Sequence, residues 1–271
     1  MTDFRMTAPT LDVVSVASAG RGHRICDIGT PMVAAAELVT ALGSHPTVTF
    51  PMRRDVPADI EGLWAFLGGT AEFFGLPTPP VDQVRQAVTE FAAAAFDRTT
   101  AVLLATTITA VGARVVVTAV PSAPFSDLPV HIGCLDPQYF WARATEASWL
   151  QMATRTTSFA GRDHLLQGLR GQGCVDGIPE GAEVGAPLSG ALVLATGAGL
   201  IGVESGEPTS ILGDLHGCGV LADLPRRVSV TQAEVQRAWW ISPLFCAQPV
   251  AILGARALPS DSNPPLFLEQ L

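Results

Sequence analysis

Ser189-Gly190-Ala191-Leu192-Val193-Leu194-Ala195 runs into Thr196-Gly197-Ala198-Gly199 and out again through Leu200-Ile201-Gly202-Val203, with Ser210-Ile211-Leu212 a few residues beyond. Two apolar runs closing on a glycine turn predict a β-hairpin with strands at 192–195 and 200–203. The same device recurs on both sides. Downstream, 250–253 and 256–258 close around Gly254 as a last hairpin; upstream, the β-branched runs 101–109 and 114–120 join at Gly112. Helical signals fall between the hairpins. Asp59 is placed to cap a helix whose Ile60, Leu63, Trp64 and Leu67 share one face. Pro79 and Pro80 open a second helix with the stripe Val84, Val88, Phe91, Ala92 and Ala95, the spacing of a helix resting on a sheet. Residues 160–172 predict a third helix burying Leu165, Leu166 and Leu169, and glycines stop it. Thr231-x-x-Glu234 has the spacing of a capping box and predicts a short helix leading to Trp239 and Trp240.

These blocks divide the chain into an N-terminal α+β domain (1–121), a proline-rich interdomain linker (122–135) and a C-terminal α+β domain (136–271). A length of 271 residues accommodates two modest cores. The composition, 48% hydrophobic and 15% charged, is that of a globular chain. A net charge of -9 argues against nucleic acid or an anionic membrane as partner. No apolar run reaches the roughly 18 residues of a membrane helix, and Asp12 interrupts the mildly apolar 11–19, so no signal peptide is expected. Five scattered cysteines without a CxxC pair fit free thiols in the cytoplasm better than disulfides or zinc, and no metal site is expected.

Taken together, the motifs resemble the class IV aminotransferase fold, the family of branched-chain and D-amino-acid aminotransferases and aminodeoxychorismate lyases. Cys26-Asp27-Ile28-Gly29 is similar to its strand-end Asp-Arg-Gly signature. Phe73-Phe74-Gly75-Leu76-Pro77 is similar to the Leu-Gly-Leu-Pro after its first long helix. The 189–193, 199–200 and 210–212 segments resemble its Ser-Asn-Ile-Phe, turn and Ile-Leu-x-Gly series, and Ala247-Gln248-Pro249-Val250 its closing Pro-Val strand. The resemblance covers roughly 25–271. It implies an α+β fold of two domains, a small N-terminal α/β sandwich and a larger C-terminal β-barrel-like domain, and a homodimer.

The catalytic apparatus of that family needs a lysine to form an imine with pyridoxal phosphate. All 16 basic residues of this chain are arginines, so lysine Schiff-base chemistry is excluded. By the resemblance the lysine's place falls at Arg155, which stays protonated and forms no imine. The glutamate beside the pyridine nitrogen falls at Ala186, with Glu183 the nearest replacement. The phosphate-holding arginine falls at Phe66, its upstream histidine at Leu63, and the last phosphate-loop threonine at Pro243. Concerted loss of these anchors implies a cavity used without the cofactor.

Within such a cavity Arg155 is the candidate to clamp a substrate anion and Glu37 the candidate general base, the two facing the same space. His216 and Asp214 fall in the phosphate-loop region as a candidate anion or acid–base pair. His164, near Arg162 and Asp163 at the start of the third helix, and Tyr139 and Trp141, with Phe140 and Trp149, are candidates to line a substrate pocket. Each has a plain structural alternative: an interdomain ion pair, solvated helix-start charges, or aromatic packing in a core or dimer surface. Cys218, two residues after His216, raises the question of an activated thiolate. The favoured reading is a pyridoxal-phosphate-independent lyase, cyclase or isomerase on a small carboxylate or secondary metabolite, without cofactor. The alternatives are a non-catalytic binding protein and a conventional aminotransferase or aminodeoxychorismate lyase that has lost its lysine.

Overall fold

The computed structural model describes residues 13–18, 24–27, 45–111, 114–123, 125–136, 155–157, 160–204 and 210–260. Its first sheet holds β1 (Val13–Ser18), β2 (Arg24–Asp27), β3 (Thr47–Arg53), β4 (Leu103–Val111) and β5 (Arg114–Pro121), in the order β2-β1-β5-β4-β3 and antiparallel throughout. β4 and β5 are the hairpin that the β-branched runs predict. β3 is not among the predicted strands, because Pro51 has no N–H for a ladder. It is tolerated since β3 is the sheet's edge and Pro51 opposes Ala105 on one side alone. Along β3, Val48, Phe50 and Met52 turn to the helices, while the Thr47 and Thr49 hydroxyls meet those of Thr109 and Thr107 at 3.1 and 2.8 Å.

Two helices cover the apolar face. In α1 (Ile60–Phe73) the Asp59 carboxylate accepts from the Gly62 N–H at 3.0 Å, so the predicted cap is formed. In α2 (Val81–Arg98) Val84, Val88, Phe91 and Ala95 are buried as their spacing requires, and Ala92 is half-buried. Trp64 ties the two helices together, its indole N–H donating to the Pro79 carbonyl at 2.9 Å.

The first part of segment 122–135 crosses to the C-terminal half, where the Ser122 hydroxyl donates to the Leu244 carbonyl at 2.7 Å and Phe125 bridges Ala247. The rest of it, Val130–Leu135, is a strand in its own right, β6, lying inside the second sheet. That sheet also contains β7 (Asp176–Pro179), β9 (Ala191–Thr196), β10 (Gly199–Val203), β11 (Arg226–Arg227), β13 (Arg237–Ile241), β14 (Ala247–Leu253) and β15 (Arg256–Ala257). The order is β11-β10-β9-β13-β14-β6-β7 with β15 on β14, and β6 runs parallel to both neighbours. β8 (Glu183–Gly185) and β12 (Ser229–Thr231) form a separate pair.

The hairpins at β9–β10 and β14–β15 stand where the sequence puts them, the latter turning at Gly254 with φ 61°. The expectation for 231–240 is corrected. Thr231 makes no side-chain cap, the helix is a single 3-10 turn (Gln232–Glu234), and Val235 is already extended. The apolar run that follows has the period of a strand: Trp239 faces a core with Leu212 and Phe245, and Trp240 faces one with Leu192 and Val250. α3 (Ala160–Gly171) buries Leu166 and Leu169, with Leu165 at its margin. At the junction of the halves, Leu103 and Ala105 of β4 pack with Val193, Ile241 and the buried side of α4 (Ile211–Gly217). Among the described residues no helix is long and apolar enough to cross a membrane.

Candidate functional site

A cavity of about 310 Å³ opens between α1, α4 and β3. Val48 and Phe50 form its floor, and Leu63 and Phe66 its wall on α1. On the α4 side Gly213 and Gly217 leave room beside Asp214 and Cys218, and Asp59 stands at the head of α1.

The neighbourhood of Asp214 begins with the cap of α4. The Ser210 hydroxyl oxygen accepts from the Gly213 N–H at 2.7 Å. Glu204, whose side chain is 10% exposed, accepts from the Ser210 hydroxyl and from the Leu212 N–H at 3.1 Å, and pairs with Arg226 at 3.4 Å. The start of this helix is thus already supplied with an anion by the chain itself. Asp214, one turn on, is half-buried, and its carboxylate has neither a hydrogen bond nor an ion pair among the described residues. Burial above all, then the Glu204 and Asp59 charges, push its pKa from 3.8 up to about 6, with Arg226 opposing.

Cys218 does not supply a thiolate. Burial pushes its pKa up to about 11, and its Sγ lies 3.5 Å from the Leu215 carbonyl oxygen. Arg53 donates to the Cys218 and Gly219 carbonyls at 3.2 and 3.3 Å, closing the other end of α4 onto β3.

The structure brings some predicted positions together and separates others. The Arg155 guanidinium lies over the Phe66 ring, 5.2 Å from its centroid, and Phe66 lines the cavity. Backbone pairing holds Arg155 there, since the Thr47 N–H donates to its carbonyl at 2.8 Å. Asp214 lines the cavity; His216 does not, being exposed with Nδ1 3.1 Å from the Leu221 carbonyl oxygen. His164 is exposed on α3 and borders a shallow groove beside Cys134, away from Asp214. Glu183 is exposed on β8, where it accepts from Ser229, and is not part of the cavity wall. Glu37, Tyr139, Trp141, Phe140 and Trp149, and the side chains of Arg162 and Asp163, lie outside the described residues. Cys134, Cys174, Cys218 and Cys246 are free.

Sequence reasoning misses three acids. Asp59 reads as a cap alone, yet it also borders the cavity. Glu204, just past a strand end and six residues before Ser210, carries no motif. Asp176, at the start of β7, is wholly buried. Its Oδ1 accepts from the N–H groups of Gly177 and Leu188 at 2.8 and 3.1 Å. Its Oδ2 accepts from the Ser189 hydroxyl and the Gly190 N–H at 2.8 Å each, and from the Trp240 indole at 2.9 Å. The Ser189 N–H is shared between both oxygens at 3.2 Å. The signal for it is an isolated acid in the apolar run Cys174-Val175-Asp176-Gly177-Ile178. Gly190 is required where it sits, because a Cβ there would lie 2.5 Å from the Ile241 carbonyl oxygen.

No protein-family model matches the sequence, and no curated protein matches it. Solved structures do. A fold IV transaminase from Curtobacterium pusillum superposes with a TM-score of 0.65 at 18% identity, over 92% of this chain and 94% of its own. A hypothetical aminotransferase from Mycobacterium tuberculosis, in its PLP-bound form, gives 0.65 at 20% identity over 94% and 96%. A branched-chain aminotransferase from the thermophilic archaeon Thermoproteus uzoniensis, with norvaline, gives 0.56 at 14% identity over 96% and 92%. The chain therefore has the two-domain α+β fold of the class IV aminotransferases, as the motifs imply.

Proposed function

We propose that this chain is an enzyme that works without pyridoxal phosphate, moving a proton on a small molecule held in the cavity between α1 and α4. The observation that carries the reading is Asp214: a half-buried carboxylate without a hydrogen-bond partner among the described residues, with a pKa near 6, lining the cavity beside Leu63 and Phe66. Such a group is ionised at neutral pH and still basic enough to accept a proton, the condition for general-base catalysis. Returning the proton to another atom of the substrate gives an isomerase; loss of a leaving group or ring closure gives a lyase or cyclase.

The residues present do not fit the cofactor that the fold implies. Arg155 forms no imine. The N–H of Leu212 and the hydroxyl of Ser210, donors at the start of α4, are taken by Glu204. Among the described residues of the wall, the ionisable groups that carry charge are Asp59 and Asp214, and these repel a phosphate. Arg155 backs the aromatic wall by stacking on Phe66.

The test uses a nitrobenzisoxazole, which opens to a phenolate nitrile when a base removes its ring C–H proton and the N–O bond breaks. Purified protein is expected to exceed an equal concentration of acetate by on the order of 10²-fold, with a rate that rises with pH and levels off above about 6. Asp214→Asn should abolish the excess; retention of the rate sinks the reading. Incubation with pyridoxal phosphate followed by borohydride should leave no pyridoxyl adduct, and a stable yellow complex would favour the conventional aminotransferase instead.

The same reading places the protein in the cytoplasm as a homodimer. Exposed Phe73, Phe74 and Leu128 supply apolar surface for a partner. Light scattering at micromolar concentration should return twice the 28.3 kDa chain mass, and a monomer mass would refute the dimer.

A further inference from the structure

We infer that Gly217 decides which ligands reach the Asp214 carboxylate: the approach runs over α4 at this position, and the missing side chain keeps it open. This rests on reading the cavity between α1 and α4 as the functional site. α4 presents Gly213, Asp214, Gly217 and Cys218 to the cavity, while Leu212 and Leu215 turn into the core. Positions three and four apart share one face of a helix, and these four residues make such a face. A helical side chain leans back over the turn before its own Cα. At position 217 it would therefore lie over Asp214, three residues earlier.

Three of the described residues that line the cavity are glycines, and packing accounts for two of them. A Cβ on Gly62 would strike the Asp59 carboxylate that caps α1. One on Gly213 would lie 2.8 Å from the Ser210 Oγ that caps α4. A Cβ on Gly217 would meet no heavy atom within 4 Å. The backbone does not call for glycine there either. The left-handed turn that ends α4 falls on Gly219, φ 71°, with the Gly219 N–H on the His216 carbonyl and the Val220 N–H on the Leu215 carbonyl, each at 2.9 Å. Glycine is the poorest helix former after proline, so at Gly217 it weakens α4 with no gain in packing. What it keeps is space in front of Asp214, the usual trade of stability for function. The cavity, about 310 Å³, then has room for one or two fused rings between that face of α4 and the Leu63–Phe66 wall.

Two unreactive probes test the selector by size. One is 3,5-dimethylisoxazole, a single ring. The other is 3-methyl-5-nitro-1,2-benzisoxazole, two fused rings in which a methyl group replaces the proton a base would remove. NMR titration at neutral pH should show the parent binding both. In Gly217→Leu the two-ring probe should weaken about tenfold or more and the one-ring probe less than about threefold, with Gly217→Ala between. Both variants should melt no lower than the parent, because leucine and alanine are strong helix formers. Equal weakening of the two probes, unchanged binding of both, or a lower melting temperature in both variants overturns the inference. The proposed function fails separately. Size-dependent loss in Gly217→Leu, with no nitrobenzisoxazole turnover by the parent, leaves the selector standing and removes the base. Turnover that Gly217→Leu leaves intact does the reverse.

Discussion

Asp176→Ala is expected to cost roughly 3–5 kcal/mol of stability and to lower the melting temperature by about 10 °C. The size follows from what the carboxylate satisfies. Four backbone N–H groups (Gly177, Leu188, Ser189 and Gly190), the Ser189 hydroxyl and the Trp240 indole all donate to it from buried or partly buried positions. Alanine leaves all of these donors but the Leu188 N–H, which keeps the Gly177 carbonyl at 2.9 Å, without this acceptor, and water has no ready path to them, since Asp176 is fully enclosed. The loop 186–190 leads into β9, so its loosening frees the strand at the junction of the halves. Asp176→Asn separates charge and acceptors from volume. Both oxygens face donors only, apart from a rotatable hydroxyl, so the amide NH2 must point at an N–H whichever way it is turned. The isosteric change is therefore expected to lose nearly as much as the truncation. Thermal unfolding followed by tryptophan fluorescence reports on both, because Trp240 loses its indole partner. A fall of less than about 2 °C for either variant would show that the loop holds without this acid.

The elements legible in sequence are those whose cause is local. A glycine turn between apolar runs produces the β9–β10 and β14–β15 hairpins, the β4–β5 runs pair as expected, and the Asp59 cap and the α2 stripe form as their spacing demands. Where a local signal competes with a tertiary one, the tertiary one wins. Thr231-x-x-Glu234 has capping-box spacing, but Trp239 and Trp240 each gain a different core by alternating, and a helix would bury one at most. β3 is hidden by Pro51, which is harmless at an edge and disqualifying in a centre, and edge position is not written in the sequence. The site is legible in part for the same reason. The resemblance locates Leu63, Phe66, Arg155 and Asp214 near one another, because the fold fixes where those positions meet. It cannot reveal that Glu204 turns back onto Ser210, which no motif marks, or that Asp59 reaches the same space, which depends on how α4 lies beside α1. His216 and Cys218 look paired because they are two residues apart. On a short helix that spacing turns them to different sides, one exposed and the other buried against Leu215.

Asp214→Asn is expected to stabilise the protein at alkaline pH while removing its proton-transfer activity. Folding lifts the Asp214 pKa from 3.8 to about 6, chiefly by burial and then by Glu204 and Asp59. At low pH, below the unfolded value, the group is protonated in both states and contributes nothing. Between the two values the unfolded chain releases its proton while the folded one keeps it, so stability falls as pH rises through this window. Above about 6 the whole penalty is present. The shift corresponds to about 3 kcal/mol for the ionised form, reduced to roughly 1–2 because solvent reaches part of the group through the open cavity. Asparagine keeps the shape and never ionises. Near pH 8 the variant should melt about 2–5 °C higher than the parent, and near pH 4 the two should coincide. Comparing variant with parent at each pH cancels titrations the two share, those of Asp59 and Glu204 included, to the extent that they do not depend on Asp214. A residue that costs stability and whose loss costs activity is retained for what it does to a ligand. Equal melting temperatures at pH 8, or a lower one for the variant, would mean that Asp214 is a satisfied structural acid, and the catalytic assignment would fall with it.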